Sequence, residues 1–261
     1  MLAALWVSKT GLGAQDIALT TISNNLANVS TIGFKRDRPV FQDLLYQIDR
    51  QPGAQASQET QLPSGLQLGT GVRASGTQKV FTNGSLQVTE NALDVAINGR
   101  GFLQITMPDG TIGYSRDGQF HLDANGQIVT GNGDPLQPAV TVPEGSQSVT
   151  IGGDGTVSVA LAGETDVTEI GNIQLVDFVN PGGLQAIGKN LFRETASSGA
   201  PQQGTPGLNG LGSIEQGSLE NSNVSVVEEL VNMISTQRAY EMNSKVVSTA
   251  DQMLQYLGQN I

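Results

Sequence analysis

Cysteine is absent from the 261 residues, and histidine occurs once, as His121. The first absence excludes a disulfide framework, a thiol nucleophile and a thiolate metal site. The second excludes a metal centre built on two or three histidines of one chain. Charged residues are scarce, 14% of the chain against roughly 25% in an average soluble domain. Aromatics are only 5%. No run of 18 apolar residues occurs, so no helical membrane span or membrane insertion is expected. The apolar start, Met1-Leu-Ala-Ala-Leu-Trp-Val7, is too short for a secretory signal and lacks its basic flank. A net charge of -11 argues against a nucleic-acid partner, because such binders need a basic footprint.

Glycine is plentiful, 33 residues, nearly twice its usual share of about 7%. Its placement is uneven. All ten prolines lie between Pro39 and Pro206, and glycine is sparse at both ends. Two helix-compatible ends therefore flank a Gly/Pro/Asp-rich middle. The charge divides the same way: residues 1–35 carry Lys9 and Lys35 against Asp16, and most of the negative charge sits centrally.

In the first segment Leu5, Leu12, Leu19 and Leu26 recur every seven residues, and Ile22 and Val29 add the intervening positions toward the end. That heptad predicts a helix over residues 3–30, ended near Gly33, which suits a left-handed backbone. The last segment repeats the pattern with Val226, Met233, Tyr240, Val247 and Leu254, widened by Leu230, Ala250 and Leu257. Ser225 and Glu228 have the spacing of a capping box, and Glu229 adds negative charge at the helix start. A helix from about 225 to 257 follows. Each stripe is narrow, so each helix needs a packed partner to be stable.

The middle changes period. Val95–Ile97, Phe102–Ile105, Gly113–Ser115, Gln119–Leu122, Gln127–Thr130, Ser148–Ile151, Thr156–Val159 and Asn172–Val176 are short strand-like runs. Pro108-Asp-Gly110, Asp117-Gly118, Asn125-Gly126 and Asn132-Gly133 separate them as turn signals. The predicted fold class is α+β. A terminal helical, coiled-coil-like domain is expected from residues 1–35 plus 224–261, and an inserted antiparallel β domain from 96–189. Residues 36–95 plus 190–223 are read as extended connectors, with low-complexity stretches at 47–76 and 195–212.

Chemistry finds little support. His121 reads as a strand residue, since no partner orients it as a catalytic base. Asp123-Ala-Asn-Gly126 and Asp154-Gly155 fail the calcium-loop pattern; from Asp123 the twelfth position is Asp134, not Glu. The pairs Glu164/Asp166 and Glu228/Glu229 read as a loop and a helix cap. No P-loop or nucleophile elbow is present. No enzyme, metal site or cofactor is expected. The cluster Asn24, Asn25 and Asn28 is less ordinary. Asparagine costs about half a kcal/mol per helical position relative to Ala. Its carboxamide both donates and accepts, so the cluster suggests a hydrogen-bonding face against another subunit.

Those asparagines lie in Ile22-Ser-Asn-Asn-Leu-Ala-Asn-Val-Ser-Thr-Ile-Gly-Phe-Lys35, which resembles the N-terminal signature of bacterial flagellar rod, hook and hook-associated proteins. Ser222–Ile234, Gln237–Glu241 and Asn243–Lys245 are similar to the family's C-terminal signature. Val95–Phe102 and Tyr114–Phe120 resemble its central motif. Within the family, Phe41–Gln47, Arg50–Gln55 and Leu62–Arg73 resemble the insertion of the distal-rod branch. The resemblance implies a structural subunit that forms a helical homo-polymer and transmits torque. It implies export without a cleaved signal through the flagellar type III apparatus. Its implied neighbours are the proximal rod and hook proteins and the P and L ring proteins, in a periplasm-spanning rod. The assembly residues expected are Leu5, Leu12, Leu19, Ile22, Asn24, Asn25, Leu26 and Asn28, with Val226, Leu230, Met233, Tyr240, Val247 and Leu254. The alternatives are another axial protein, proximal rod or hook, and more remotely a secreted glycan-binding β domain or hydrolase with helical arms.

Overall fold

The computed structural model describes residues 2–53, 63–161 and 167–259. The acidic pair Glu164/Asp166 and the central part of the 47–76 stretch lie outside the described residues. The chain forms two compact units.

The first unit is helical. It holds α1 (Leu2–Ala27) and α2 (Val226–Gln259), which pack on each other. The 3–30 helix expected from the heptad ends three residues early; Asn28 begins a turn, its carbonyl accepting from the Thr31 amide at 3.2 Å. At the other helix the Ser225 hydroxyl accepts from the Glu228 amide at 3.5 Å, and the Ser225 carbonyl accepts from the Glu229 amide at 3.0 Å. That fixes the start of α2 where the S-x-x-E spacing placed it.

The same unit carries two strand pairs. β1 (Asp37–Asp43) pairs with β4 (Val72–Lys79), and β2 (Tyr46–Arg50) with β3 (Leu66–Gly69). The stretch expected to be an extended connector is therefore partly a two-stranded antiparallel ribbon. Every residue of β2 and β3 is exposed, so the ribbon has no core of its own.

The second unit, residues 28–36 and 79–224, is all β. Its strands are β5 (Leu86–Val88), β6 (Val95–Asn98), β7 (Leu103–Thr106), β8 (Ile112–Ser115), β9 (Phe120–Leu122), β10 (Ile128–Thr130), β11 (Leu136–Gln137) and β12 (Ser146–Ile151). There follow β13 (Thr156–Leu161), β14 (Val167–Asn172), β15 (Leu175–Asp177), β16 (Gln185–Gly188), β17 (Leu191–Arg193), β18 (Gln202–Gly204), β19 (Ser213–Gln216) and β20 (Ser218–Glu220). The largest sheet runs β11-β7-β8-β17-β16; a second runs β12-β13-β14; β6 pairs with β19, β5 with β20, β9 with β10 and β15 with β18. These pairings are antiparallel.

This unit is wider than the 96–189 segment read from the sequence. β5 and β20 belong to segments taken as connectors, yet they pair with each other, and β19 closes on β6. Pairing across more than a hundred residues leaves no local periodicity to read.

Two apolar clusters fill the unit. One gathers aliphatic side chains such as Ile97, Leu103, Ile105, Val157, Ile173 and Leu175. The other is aromatic: Phe102, Tyr114, Phe178 and Phe192 sit edge to face at 4.8–6.1 Å between centroids. Edge-to-face rings set the positive edge of one against the negative face of the next, adding to the area they bury.

The Asn125-Gly126 signal makes the hairpin turn between β9 and β10. Asp117-Gly118 does not make a hairpin. β8 before it pairs with β7 and β17, while β9 after it pairs with β10. Glycine is required there by close approach: the Gly118 carbonyl accepts from the Val95 amide at 3.0 Å, and a side chain would strike the Val95 carbonyl. His121 is an exposed residue of β9, opposite Val129.

Candidate assembly surface

The seam between the two helices is built from small and polar residues. On α1 the buried positions are Ser8, Ala14, Ala18, Thr21, Ile22 and Asn25, which from Ala14 onward follow one helical face. On α2 the least exposed line runs Glu229, Met233, Thr236, Ala239, Asn243, Val247 and Ala250, with Glu229 and Ala250 fully buried. Gly11 faces Asn243, where a methyl group would come within 3.1 Å of the carboxamide nitrogen. Small residues let the two backbones come close, but they bury little apolar area.

The leucine heptad is displaced from that seam. Leu5, Leu12, Leu19 and Leu26 are only half-buried, along its flank. Ile22 is the large apolar side chain of α1 that is buried. On α2, Met233 and Val247 are half-buried, whereas Val226, Leu230, Tyr240 and Leu254 are exposed. Ser8 and Gln15, polar residues at the intervening positions of the heptad's first half, lie on or beside the packed face.

A second apolar stripe occupies another face of α2. Val227, Leu230, Val231 and Ile234 have the spacing i, i+3, i+4, i+7, which lines one side of a helix. That side is turned away from Glu229, Met233 and Thr236. Their exposures are 73, 43, 58 and 51%. Farther along, Met242, Val246, Met253 and Tyr256 are also exposed. On α1, Trp6 is 55% exposed, with the Lys9 ammonium 5.3 Å from its ring centroid. Among the described residues no helix is long and apolar enough to cross a membrane. Apolar surface of this extent marks a site that another macromolecule covers. Val227, Val231 and Ile234 escaped the heptad reading, although their own spacing carries the signal.

The ribbon β2–β3 adds to this surface. Leu45 is 90% exposed, and Tyr46, Ile48, Leu66 and Leu68 lie near half.

The asparagines divide. Asn25 is buried, and its carboxamide is engaged within the chain: Nδ2 donates to the Asp37 carbonyl at 2.8 Å, and Oδ1 accepts from the Asp37 amide at 2.9 Å. Such reciprocal bonding fixes β1 beside α1 and leaves that side chain out of an intersubunit face. Asn24 is exposed on α1. Asn28, past the helix end, accepts from the Thr31 hydroxyl at 3.2 Å.

Comparison with known proteins follows this architecture. Residues 5–35 match the family described as flagella basal body rod protein, and residues 96–159 the flagellar hook protein FlgE/F/G D1 domain. Residues 215–260 match the flagellar basal body rod FlgEFG protein C-terminal family. The flagellar basal-body rod protein FlgG of Buchnera aphidicola subsp. Schizaphis graminum is 57% identical over 99% of this chain and 100% of its own length. The corresponding protein of Caulobacter vibrioides is 46% identical, over 98% of each chain. That of Bacillus subtilis is 37% identical, again over 98% of each. With an exposed apolar helical surface and similarity over nearly its whole length, the chain belongs to the FlgG family of flagellar basal-body rod proteins, which are structural subunits rather than enzymes.

Proposed function

We propose that the chain polymerises into the helical tube of the distal rod, with a second copy as the main occupant of its exposed helical surface. The observation that carries this is the split on α2: a small, polar line toward α1, and the Val227/Leu230/Val231/Ile234 stripe facing elsewhere. Burying that stripe against neighbouring copies would supply the apolar area that the seam lacks. The remaining assembly residues, half-buried Leu5, Leu12, Leu19 and Leu26 with exposed Val226, Tyr240 and Leu254, would add apolar area to that assembly. The β2–β3 ribbon, with open edges and apolar residues exposed, would bridge neighbouring copies and stiffen the tube.

The tube would carry torque from the motor to the hook, and its lumen would pass exported subunits. Its ends would meet the proximal rod and the hook, and its flank the P and L rings. The subunit would leave the cytoplasm unfolded through the flagellar type III apparatus and assemble across the periplasm. Freedom from cysteine suits that route, because no thiol can mispair in an oxidising compartment.

Val231→Asp combined with Ile234→Asp tests the reading. By sedimentation and electron microscopy the parent should form rods, and the double variant should stay monomeric with its β unit unchanged. Rods formed by the variant as readily as by the parent would overturn the assignment of this face. Imaging the subunit in an intact basal body should find it distal; a place in the proximal rod or hook would overturn the position.

A further inference from the structure

Three charged side chains are buried together in the β unit. The Lys35, Arg116 and Glu220 side chains are 0, 2 and 0% exposed. The Lys35 ammonium donates to Glu220 Oε1 at 2.6 Å and to the Thr82 carbonyl at 2.8 Å. The Arg116 guanidinium donates to Glu220 Oε2 at 3.2 Å and to the Gly99 carbonyl at 2.7 Å, and lies 5.5 Å from the Phe102 ring centroid. The Gly84 amide adds a bond to Glu220 Oε1 at 2.9 Å. Two cations thus converge on one carboxylate. Burial pushes the Lys35 ammonium below its ordinary pKa, and the Glu220 charge opposes that.

The backbone around Glu220 closes on the same segments. Its carbonyl accepts from the Gly33 amide at 2.8 Å. Gly33 has φ +68°, and a side chain there would come within 2.7 Å of the Arg116 backbone. Asn223 Oδ1 accepts from the Arg36 amide at 2.8 Å, and its Nδ2 donates to the Val80 carbonyl at 2.8 Å. β20 completes the junction by pairing with β5. Residues 33–36, 80–88, 116 and 218–223 therefore close as one layer.

In sequence Glu220 follows Lys35 by 185 positions and Arg116 by 104. A chain made from its N-terminus holds both cations long before the carboxylate on which they converge. A buried charge without its partner costs far more than an intact pair contributes. We propose that Glu220 is a closing residue: the β unit cannot complete its fold until residues 218–223 dock and neutralise Lys35 and Arg116. The device keeps most of the chain open until most of it has been made. It rests on the geometry of the β unit and is independent of where the polymer sits.

The test uses full-length chains at a concentration where they stay monomeric. Hydrogen exchange would be followed in peptides spanning β5, β6, β19 and β20, because it reports the opening of that layer. Glu220→Gln should speed exchange there by about a hundredfold or more. Lys35→Met added to Glu220→Gln should recover at least about tenfold, because it removes one stranded cation. A residue that only fills space would give the opposite, a double variant no better than Glu220→Gln alone. That result, or exchange in Glu220→Gln within about threefold of the parent, would overturn the proposal. If Glu220→Gln yields no folded protein, the double variant decides: folded supports the inference, unfolded overturns it. In synchronised cell-free synthesis of the full chain, protease resistance of the β unit should appear only after residue 220 has emerged. Earlier resistance would equally overturn the inference.

Discussion

The helical unit and the β unit treat their large side chains in opposite ways. The β unit encloses an aliphatic and an aromatic cluster, although Val88, Val179 and Leu208 stay exposed, and its buried Lys35, Arg116 and Glu220 are matched within the unit. The helical unit keeps alanine, glycine and polar residues in its seam and presents valine, isoleucine, methionine and tyrosine to the outside. The first arrangement is that of a self-sufficient fold, and the second is that of one half of an interface. The chain joins a finished object to an unfinished one, and under the proposed function the unfinished part is where copies would meet.

That contrast can be broken from either side. The largest expected effect lies in the β unit. Phe102→Ala removes the ring that meets Phe81, Phe178 and Phe192, and should cost about 3–5 kcal/mol in denaturant unfolding followed by exchange in that unit. A loss under about 1 kcal/mol would mean that the aromatic cluster is not what holds the unit. Next comes Asn25→Ala, which strands the Asp37 amide and carbonyl; it should cost about 1–3 kcal/mol, read in the helical unit, and leave β-unit exchange unmoved. Ser225→Ala should cost about 1 kcal/mol, visible as fraying of the first turn of α2 by amide exchange. Fraying confined to the monomer and absent from the polymer would sharpen the comparison, because neighbours would then hold that turn.

The smallest effect depends on pH. Burial pushes the Tyr114 phenol above its ordinary pKa, and the Glu194 charge adds to this. The unfolded chain therefore loses that proton first, near pH 10. The phenol's contribution is complete below that point and declines as pH rises through the higher native value. Unfolding midpoints of the parent should fall relative to Tyr114→Phe as pH climbs above about 10, and the two should run parallel below it. A constant difference across the range would remove Tyr114 from the titration.

Much of this architecture is legible in the residues. The Pro-free ends, the S-x-x-E cap and Asn125-Gly126 are local signals, and the elements they announce are present. The heptads told a more mixed story. A seven-residue leucine line identifies the helix but not the packed face, which is shifted to Ser8, Ala14 and Ala18, where small residues permit closer approach. On α2 the heptad reading takes in Leu230 but passes over Val227, Val231 and Ile234, so the second apolar face goes unseen. Asn25 looked like a contact for another subunit because nothing in its own helix revealed Asp37 across the turn. Least legible was the meeting of Lys35, Arg116 and Glu220. Charges so far apart in sequence look like ordinary surface residues until strands β5 and β20 bring them together.

Trp6 gives the unfinished half a gauge of its own. It is the chain's one tryptophan, stands on α1 and is more than half exposed. Its emission therefore reports from the helical unit alone, undiluted by the β unit. A blue shift and a loss of quencher access on polymerisation would time the covering of α1 without any attached dye. With an unchanged spectrum, growth would have to proceed through other surfaces.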